Sequence, residues 1–215
     1  MIPGPVQVIA CPHCGALATH GTMMSGNTVG EEIWTDGMRF APMLLFAPAV
    51  AECEKCKKPF WLQDARTVGE FSDGPDAASD VDPSWVEAPS VREPSAMGYY
   101  VALKSGFARS PTQEKSLRRM AMWRENDSVR GPAPQTRQLS TEATANMTAL
   151  ARLLDESDTT ECIMKAEIFR ELGEFDLAMQ LLARVDDPDY AWVVEVIRSL
   201  CEQRDAMVRE LQPGF

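Results

Sequence analysis

The sequence predicts an α+β fold: a β-rich domain over residues 1–68, a linker over 69–95 and an α-helical bundle over 96–215. Three observations lead there. Two Cys-x-x-Cys pairs, Cys11/Cys14 and Cys53/Cys56, both fall in the first segment, among short runs of strand-like alternation. Residues 69–95 are rich in Asp, Ser, Pro and Gly and carry little periodicity. From about residue 95 the apolar positions recur at helical spacing.

In the first segment Val6, Val8 and Ala10 alternate before the first Cys pair, as a strand entering a tight turn would. Gly15, after Cys14, supplies the backbone freedom such a turn needs. Glu31–Thr35, Asp36-Gly37 and Met38–Phe40 predict a hairpin, because Asp-Gly favours a two-residue type I′ turn. Pro59 to Leu62 reads as the strand leaving the second Cys pair. A Cys-x-x-Cys turn offers two sulfurs to one metal with little strain, and zinc takes four such ligands in a tetrahedron. Cys11, Cys14, Cys53 and Cys56 are therefore the expected ligands of one Zn²⁺. The order of turn, hairpin, turn and strand is that of a zinc ribbon. Four thiolates leave no coordination position for water or substrate, so the expected zinc is structural. The 38 residues between Cys14 and Cys53 are long for a ribbon, and the apolar stretch Ala41–Ala51 is expected to cover it as a loop or strand. The rivals are disulfides, free thiols or a redox pair. His13 and His20 are expected to stay out of the ligand set.

Within the linker, Trp85 and Val86 are expected to pin the chain to a neighbouring surface. In the last segment a helix is expected from Pro94-Ser95 to Gly106, and a second from Ser110-Pro111 to about Glu125, with proline at the first helical position. After a loop at 128–138, Ser140 or Thr141 caps a helix with the stripe Ala143, Met147, Leu150, Ala151 and Leu154. Three further helices are expected at about 159–172, 174–185 and 189–203. Their short connections predict antiparallel neighbours.

Net charge is −11, unevenly spread: −2 over residues 1–70, −4 over 71–105, +4 over 106–137 and −9 over 138–215. So acidic a chain repels nucleic acid as a whole. Only the basic helix over 114–124, with Lys115, Arg118, Arg119, Trp123 and Arg124, offers cations beside an aromatic ring for phosphate and base contact. The competing expectation is that these cations pair with the acidic helices. Cys162 and Cys201 sit on apolar stripes and are expected to be buried, inert thiols. Asp186, Asp187 and Asp189 read as a solvated helix start, with a divalent-ion site as the rival. With two histidines and no phosphate loop, nucleophile elbow or zinc-protease motif, no enzymatic activity is expected. No apolar run reaches the roughly 18–20 residues of a membrane span. The first residues lack the charged and apolar regions of a signal peptide, and the thiol usage fits a reducing cytoplasm.

Two resemblances add to this reading. Leu172 to Leu182, with Gly173 at a turn, Phe175 two residues on and Ala178 three further, resembles the centre of a tetratricopeptide repeat over about residues 159–203. In that family the glycine permits the turn, the aromatic fills the gap between helices and the small residue allows close approach. The family's bulky aromatic and Leu-Gly pair are not evident ahead of the turn, and one repeat is visible, so a small bundle with one repeat-like hairpin is expected. The whole layout resembles uncharacterised bacterial proteins with a zinc ribbon at the front and a tetratricopeptide-like helical tail, whose middle section is similar to Glu114–Asp127 with Arg130. That resemblance implies no activity. The expected role is an intracellular adaptor or scaffold that recognises a protein partner; the alternative is a nucleic-acid-associated regulator using the ribbon and the basic helix, and an enzyme of unknown class stands third.

Overall fold

A computed structural model describes residues 1–45, 48–72, 81–130 and 137–212. In chain order the strands are β1 (Ile2–Pro3), β2 (Val6–Ala10), β3 (Leu17–His20), β4 (Met23–Ser25), β5 (Glu32–Trp34), β6 (Arg39–Phe40), β7 (Val50–Glu52), β8 (Pro59–Trp61), β9 (Arg66–Phe71) and, near the end, β10 (Glu210–Leu211). The helices are α1 (Pro83–Val86), α2 (Ala96–Lys104), α3 (Pro111–Asn126), α4 (Thr141–Leu153), α5 (Thr159–Glu171), α6 (Phe175–Leu182) and α7 (Ala191–Glu202). The fold is thus mixed α/β, with strands first and helices after. The chain forms two compact units, Met1–Glu31 with Ala41–Pro94, and Glu32–Phe40 with Ser95–Phe215.

The first unit is built on the antiparallel sheet β3-β2-β9 and the hairpin β7-β8, in which Val50 faces Trp61 and Glu52 faces Pro59. β2 does not alternate as its sequence suggested. Val8, Ile9 and Ala10 are all buried, because β2 is the central strand and is covered on both faces. Ile9, Cys11, Ala51, Cys53 and Phe60 form one core cluster, with Leu62, Ala65 and Val91 packed on it. Of the stretch expected to cover the ribbon, Val50 and Ala51 enter β7, and residues 46 and 47 lie outside the described residues.

The described parts of the expected linker lie on this unit, pinned by Trp85 as expected, while Val86 stays exposed. Gly69 and Phe71 belong to β9. The Trp85 ring lies against Gly69, where a methyl group would come within 2.1 Å of it, so the indole rests on bare backbone. The Thr19 amide donates to the Pro89 carbonyl at 2.9 Å, the Val91 amide to the Thr19 carbonyl at 2.8 Å, and the Glu52 amide to the Arg92 carbonyl at 2.8 Å. Residues 89–92 therefore strap β3 to β7. Polar composition did not reveal this, since the strap is held by backbone hydrogen bonds that any side chain permits. Residues 73–80 of the expected linker lie outside the described residues.

In the second unit helix starts follow the capping signals. The side chains of Ser95, Ser110, Ser140 and Asp158 accept hydrogen bonds from the amides of Gly98, Gln113, Ala143 and Glu161. Gly106 and Gly173 end α2 and α5 at φ +72° and +82°. Helices adjacent in sequence pack on one another from α2 to α7. Met122, Met147, Leu150, Ala151, Leu154 and Ile168 form one core cluster. Cys162, Ala166, Ala178, Leu182, Ile197 and Cys201 belong to a second. The Gly131-Pro-Ala-Pro loop lies outside the described residues.

The β5–β6 hairpin was expected in the ribbon; it belongs to this second unit, where Trp34 pairs with Glu210 and Ile33 with Leu211. Its turn also differs. The Gly37 amide bonds the Trp34 carbonyl and the Trp34 amide bonds the Met38 carbonyl, with Gly37 at φ +78° and Asp36 not left-handed. Three residues, Thr35, Asp36 and Gly37, make the loop, because Asp36 turns its side chain inward instead of taking the first left-handed position.

Charge fastens the hairpin. Asp36, fully buried, accepts hydrogen bonds from Arg130 and from Asn126 Nδ2 at 2.8 Å, while its backbone carbonyl accepts from Trp123 Nε1 at 2.9 Å. Glu171 accepts from Arg137 and, at 3.1 Å, from Asn126 Nδ2. Arg170 has no exposed surface; it donates to both Glu167 oxygens, to the Met207 carbonyl at 2.8 Å and to Thr35 Oγ1 at 3.3 Å. Three buried carboxylates thus meet three arginines.

Burial, with Glu167 and Asp36 nearby, pushes Glu171 up to about 8 against the pull of Arg137. A carboxyl raised in the folded state binds a proton that the unfolded chain has lost, so its stabilisation is full below the ordinary glutamate value and fades as pH rises through about 8. The second unit should lose up to about 1.4 kcal/mol per pH unit over that window. Glu171→Gln should flatten the slope. Chemical denaturation at pH 6, 7 and 8 checks it, and equal slopes in both proteins would remove Glu171 from the explanation.

Candidate metal centre

β2 runs into Cys11, and β7 runs into Cys53. Each cysteine opens a turn of the same construction. The Gly15 amide donates to the Cys11 carbonyl at 2.9 Å, and the Cys11 amide to the Ala16 carbonyl at 2.8 Å. In the second turn the Lys57 amide donates to the Cys53 carbonyl at 2.8 Å, and the Cys53 amide to the Lys58 carbonyl at 3.1 Å. The residue after the second cysteine is left-handed in both, Gly15 at φ +71° and Lys57 at φ +58°. Glycine takes that conformation freely, whereas a residue with a Cβ pays about 1–2 kcal/mol. Lys57→Gly should therefore stabilise the first unit by up to about 1 kcal/mol, and Gly15→Ala should destabilise it by a similar amount. Denaturant midpoints of the metal-loaded protein check the pair; the same sign for both would contradict the shared geometry.

The two turns bring four sulfurs within 4.8 Å of one another. Cys11 and Cys56 Sγ are 3.9 Å apart, and Cys14 and Cys53 Sγ 3.6 Å. A tetrahedron of sulfurs about 2.3 Å from a central ion has edges of about 3.8 Å. None of the four is joined in a disulfide, the nearest sulfurs standing well beyond bonding distance. The donor set and its spacing suit a soft tetrahedral ion; harder cations prefer oxygen. Cys11 and Cys53 are buried in the Ile9, Ala51 and Phe60 cluster, while Cys14 is exposed and Cys56 half-buried.

The backbone tunes the thiols. Burial pushes Cys11 up to about 12, outweighing the His13 and Cys14 amides. Burial also raises Cys53, but the Cys56 and Lys55 amides and neighbouring thiols bring it down to about 7. Without a cation Cys53 thus ionises far more readily than Cys11.

Neither histidine joins the sulfurs. The exposed His13 ring donates from Nε2 to the Pro59 carbonyl at 3.0 Å, and His20 from Nδ1 to the Gly21 carbonyl at 3.1 Å. Among the described residues the four cysteines are the one grouping of His, Cys, Asp and Glu suited to an ion, and Asp186, Asp187 and Asp189 form none. Asp187 instead caps the turn at Asp189. Cys162 and Cys201 are buried, and burial raises both thiols, Cys201 to about 11.

The basic helix is α3, and three of its cations pair with carboxylates within the second unit. Lys115 pairs with Glu161 of α5 at 2.6 Å, Arg118 with Glu114 at 2.7 Å and Arg124 with Asp127 at 3.1 Å. Arg119 stacks on the Trp123 ring at 5.1 Å. Asp36 was expected only as a turn residue, and the buried Asn126, Glu167, Arg170 and Glu171 carry no local signal in the sequence that sets them apart from solvated polar positions.

Fold and site together define a mixed α/β chain with a closed four-sulfur candidate metal centre. Comparison with protein-family models, with curated proteins and with solved structures gave no match.

Proposed function

We propose that this chain is an intracellular zinc-stapled adaptor. One Zn²⁺ held by Cys11, Cys14, Cys53 and Cys56 shapes the first unit, and the second unit recognises a protein partner. The observation that carries the metal half is the set of four sulfurs from two distant turns, all within 4.8 Å of one another. Four thiolates close the coordination sphere, so the ion acts on folding and performs no chemistry on a substrate. Six cysteines, none of them joined in a disulfide, fit a reducing compartment such as the cytoplasm.

The partner half is supported by apolar side chains left in solvent on helices. Met97 and Val101, one turn apart on α2, are 55% and 59% exposed, and Leu177 on α6 and Trp192 on α7 are also exposed. Apolar pairs at this spacing suit a helix-in-groove or helix-on-helix contact. The tetratricopeptide resemblance of the α5–α6 hairpin points the same way. Nucleic acid has less support, since Lys115, Arg118 and Arg124 each face a carboxylate. Affinity capture with native protein and with Met97→Glu/Val101→Glu tests the reading. The same partner should be recovered with the native chain and lost with the variant, while far-UV circular dichroism stays unchanged. Equal recovery by both proteins would exclude this face.

A further inference from the structure

The second unit contains a cavity of about 300 Å³ that the adaptor reading does not use. Trp34, Leu154, Ile163, Met164 and Val193 give it an apolar wall, and Arg119 of α3 also lines it. The charge balance around Arg119 is unusual. Its Nε is buried and has no hydrogen-bond partner among the described residues. The carboxylate that attracts it, Glu161, is already occupied. Both Glu161 oxygens accept from Lys115 Nζ, at 2.6 and 2.7 Å, and Oε2 also accepts from the Asp155 amide at 2.8 Å. Arg39, which also lines the cavity, has an interaction of its own. Glu161 is thus engaged by Lys115, and Arg119, which feels Glu161 at longer range, keeps a partly desolvated positive charge stacked on the Trp123 ring. Burial weakens its hold on the proton in the same sense. A charge in such a place is costly until an anion pairs with it.

We propose that this cavity binds a small organic monocarboxylate with an apolar body, its carboxylate paired with Arg119 and its tail packed against Trp34, Ile163, Met164 and Val193. Of the cations lining the cavity, Lys115 is held by both Glu161 oxygens and Arg39 has an interaction of its own, so Arg119 is the group offered to a single negative charge. Guanidinium suits a carboxylate, which it meets through two parallel hydrogen bonds. Size agrees as well. An apolar cavity of about 150 Å³ holds benzene, so twice that volume takes an acid of roughly ten to twelve non-hydrogen atoms.

The test is calorimetric titration of the whole 215-residue chain, metal-loaded, with 3-phenylpropanoate and with its neutral counterpart, 3-phenylpropanol. The acid should bind at one site and at least tenfold more tightly than the alcohol. Arg119→Met should weaken the acid at least tenfold and leave the alcohol unchanged, with a thermal midpoint no lower than that of the native chain, because the lost charge had no carboxylate of its own. Val193→Trp, which fills the cavity from α7, should abolish both. No binding of the acid at millimolar concentration, equal affinities for acid and alcohol, or full acid affinity in Arg119→Met would overturn the proposal. Should Arg119→Met fail to fold, the acid-to-alcohol ratio together with Val193→Trp still decides it.

Discussion

Removing metal from the four-cysteine site of the 215-residue chain is expected to unfold the first unit and leave the helices standing. The apolar core of the first unit is small: among the described residues it holds Val8, Ile9, Ala10, Val50, Ala51, Phe60 and Trp61 beside Cys11 and Cys53. A core of that size contributes only a few kcal/mol. Structural zinc sites contribute about 10–16 kcal/mol of apparent binding free energy, as much as or more than the whole stability of a typical domain. Without a cation the four thiols lose their common partner, and Cys11, raised to about 12 by burial, stays a neutral thiol. The helices α2 to α7 draw their cores from the second unit. A strong chelator should therefore abolish hydrogen-exchange protection at the Cys11, Gly15, Cys53 and Lys57 amides while most far-UV helical signal persists. Cys53→Ser should reproduce the result without chelator. Full protection at those amides after complete metal removal would show that the sheet holds itself together.

Arg170→Met should destabilise the second unit by about 3–5 kcal/mol. Arg170 ties Glu167 of its own helix to the Met207 carbonyl beyond α7 and to Thr35 of the hairpin, with no surface in solvent. Removing it leaves the Glu167 carboxylate buried and unpaired, the costly half of a broken ion pair. The double change Arg170→Met/Glu167→Leu should recover much of the loss, because it replaces the pair with apolar volume. Denaturant unfolding followed at 222 nm gives both values. A loss below about 1 kcal/mol in the single variant would mean that water or a shifted backbone satisfies Glu167 once the arginine is gone.

The contrast between these two predictions shows what could be read from the chain before folding. The sulfur site was legible because its information is local. Each Cys-x-x-Cys pair builds its own turn, and two such turns leave little choice of chemistry. Helix starts at Ser95, Ser110 and Ser140 were legible for the same reason, since a cap is a contact between residues two or three apart. The buried charge network was not. Periodicity assigns Glu167, Arg170 and Glu171 to a solvated face, and only partners on distant segments, Thr35, Arg137 and Met207, make their burial tolerable. Placing the 32–40 hairpin failed for a related reason: its edge is completed by Glu210 and Leu211, far away in sequence. The strap at 89–92 was missed because composition reports solubility, whereas backbone amides and carbonyls decide attachment.

The most direct test of the central claim is elemental analysis of protein purified without chelator, combined with X-ray absorption at the zinc edge. One zinc per chain is predicted, with four sulfur neighbours at about 2.3 Å. Zinc well below one per chain, or a first shell containing nitrogen or oxygen in place of any of the four sulfurs, would contradict it.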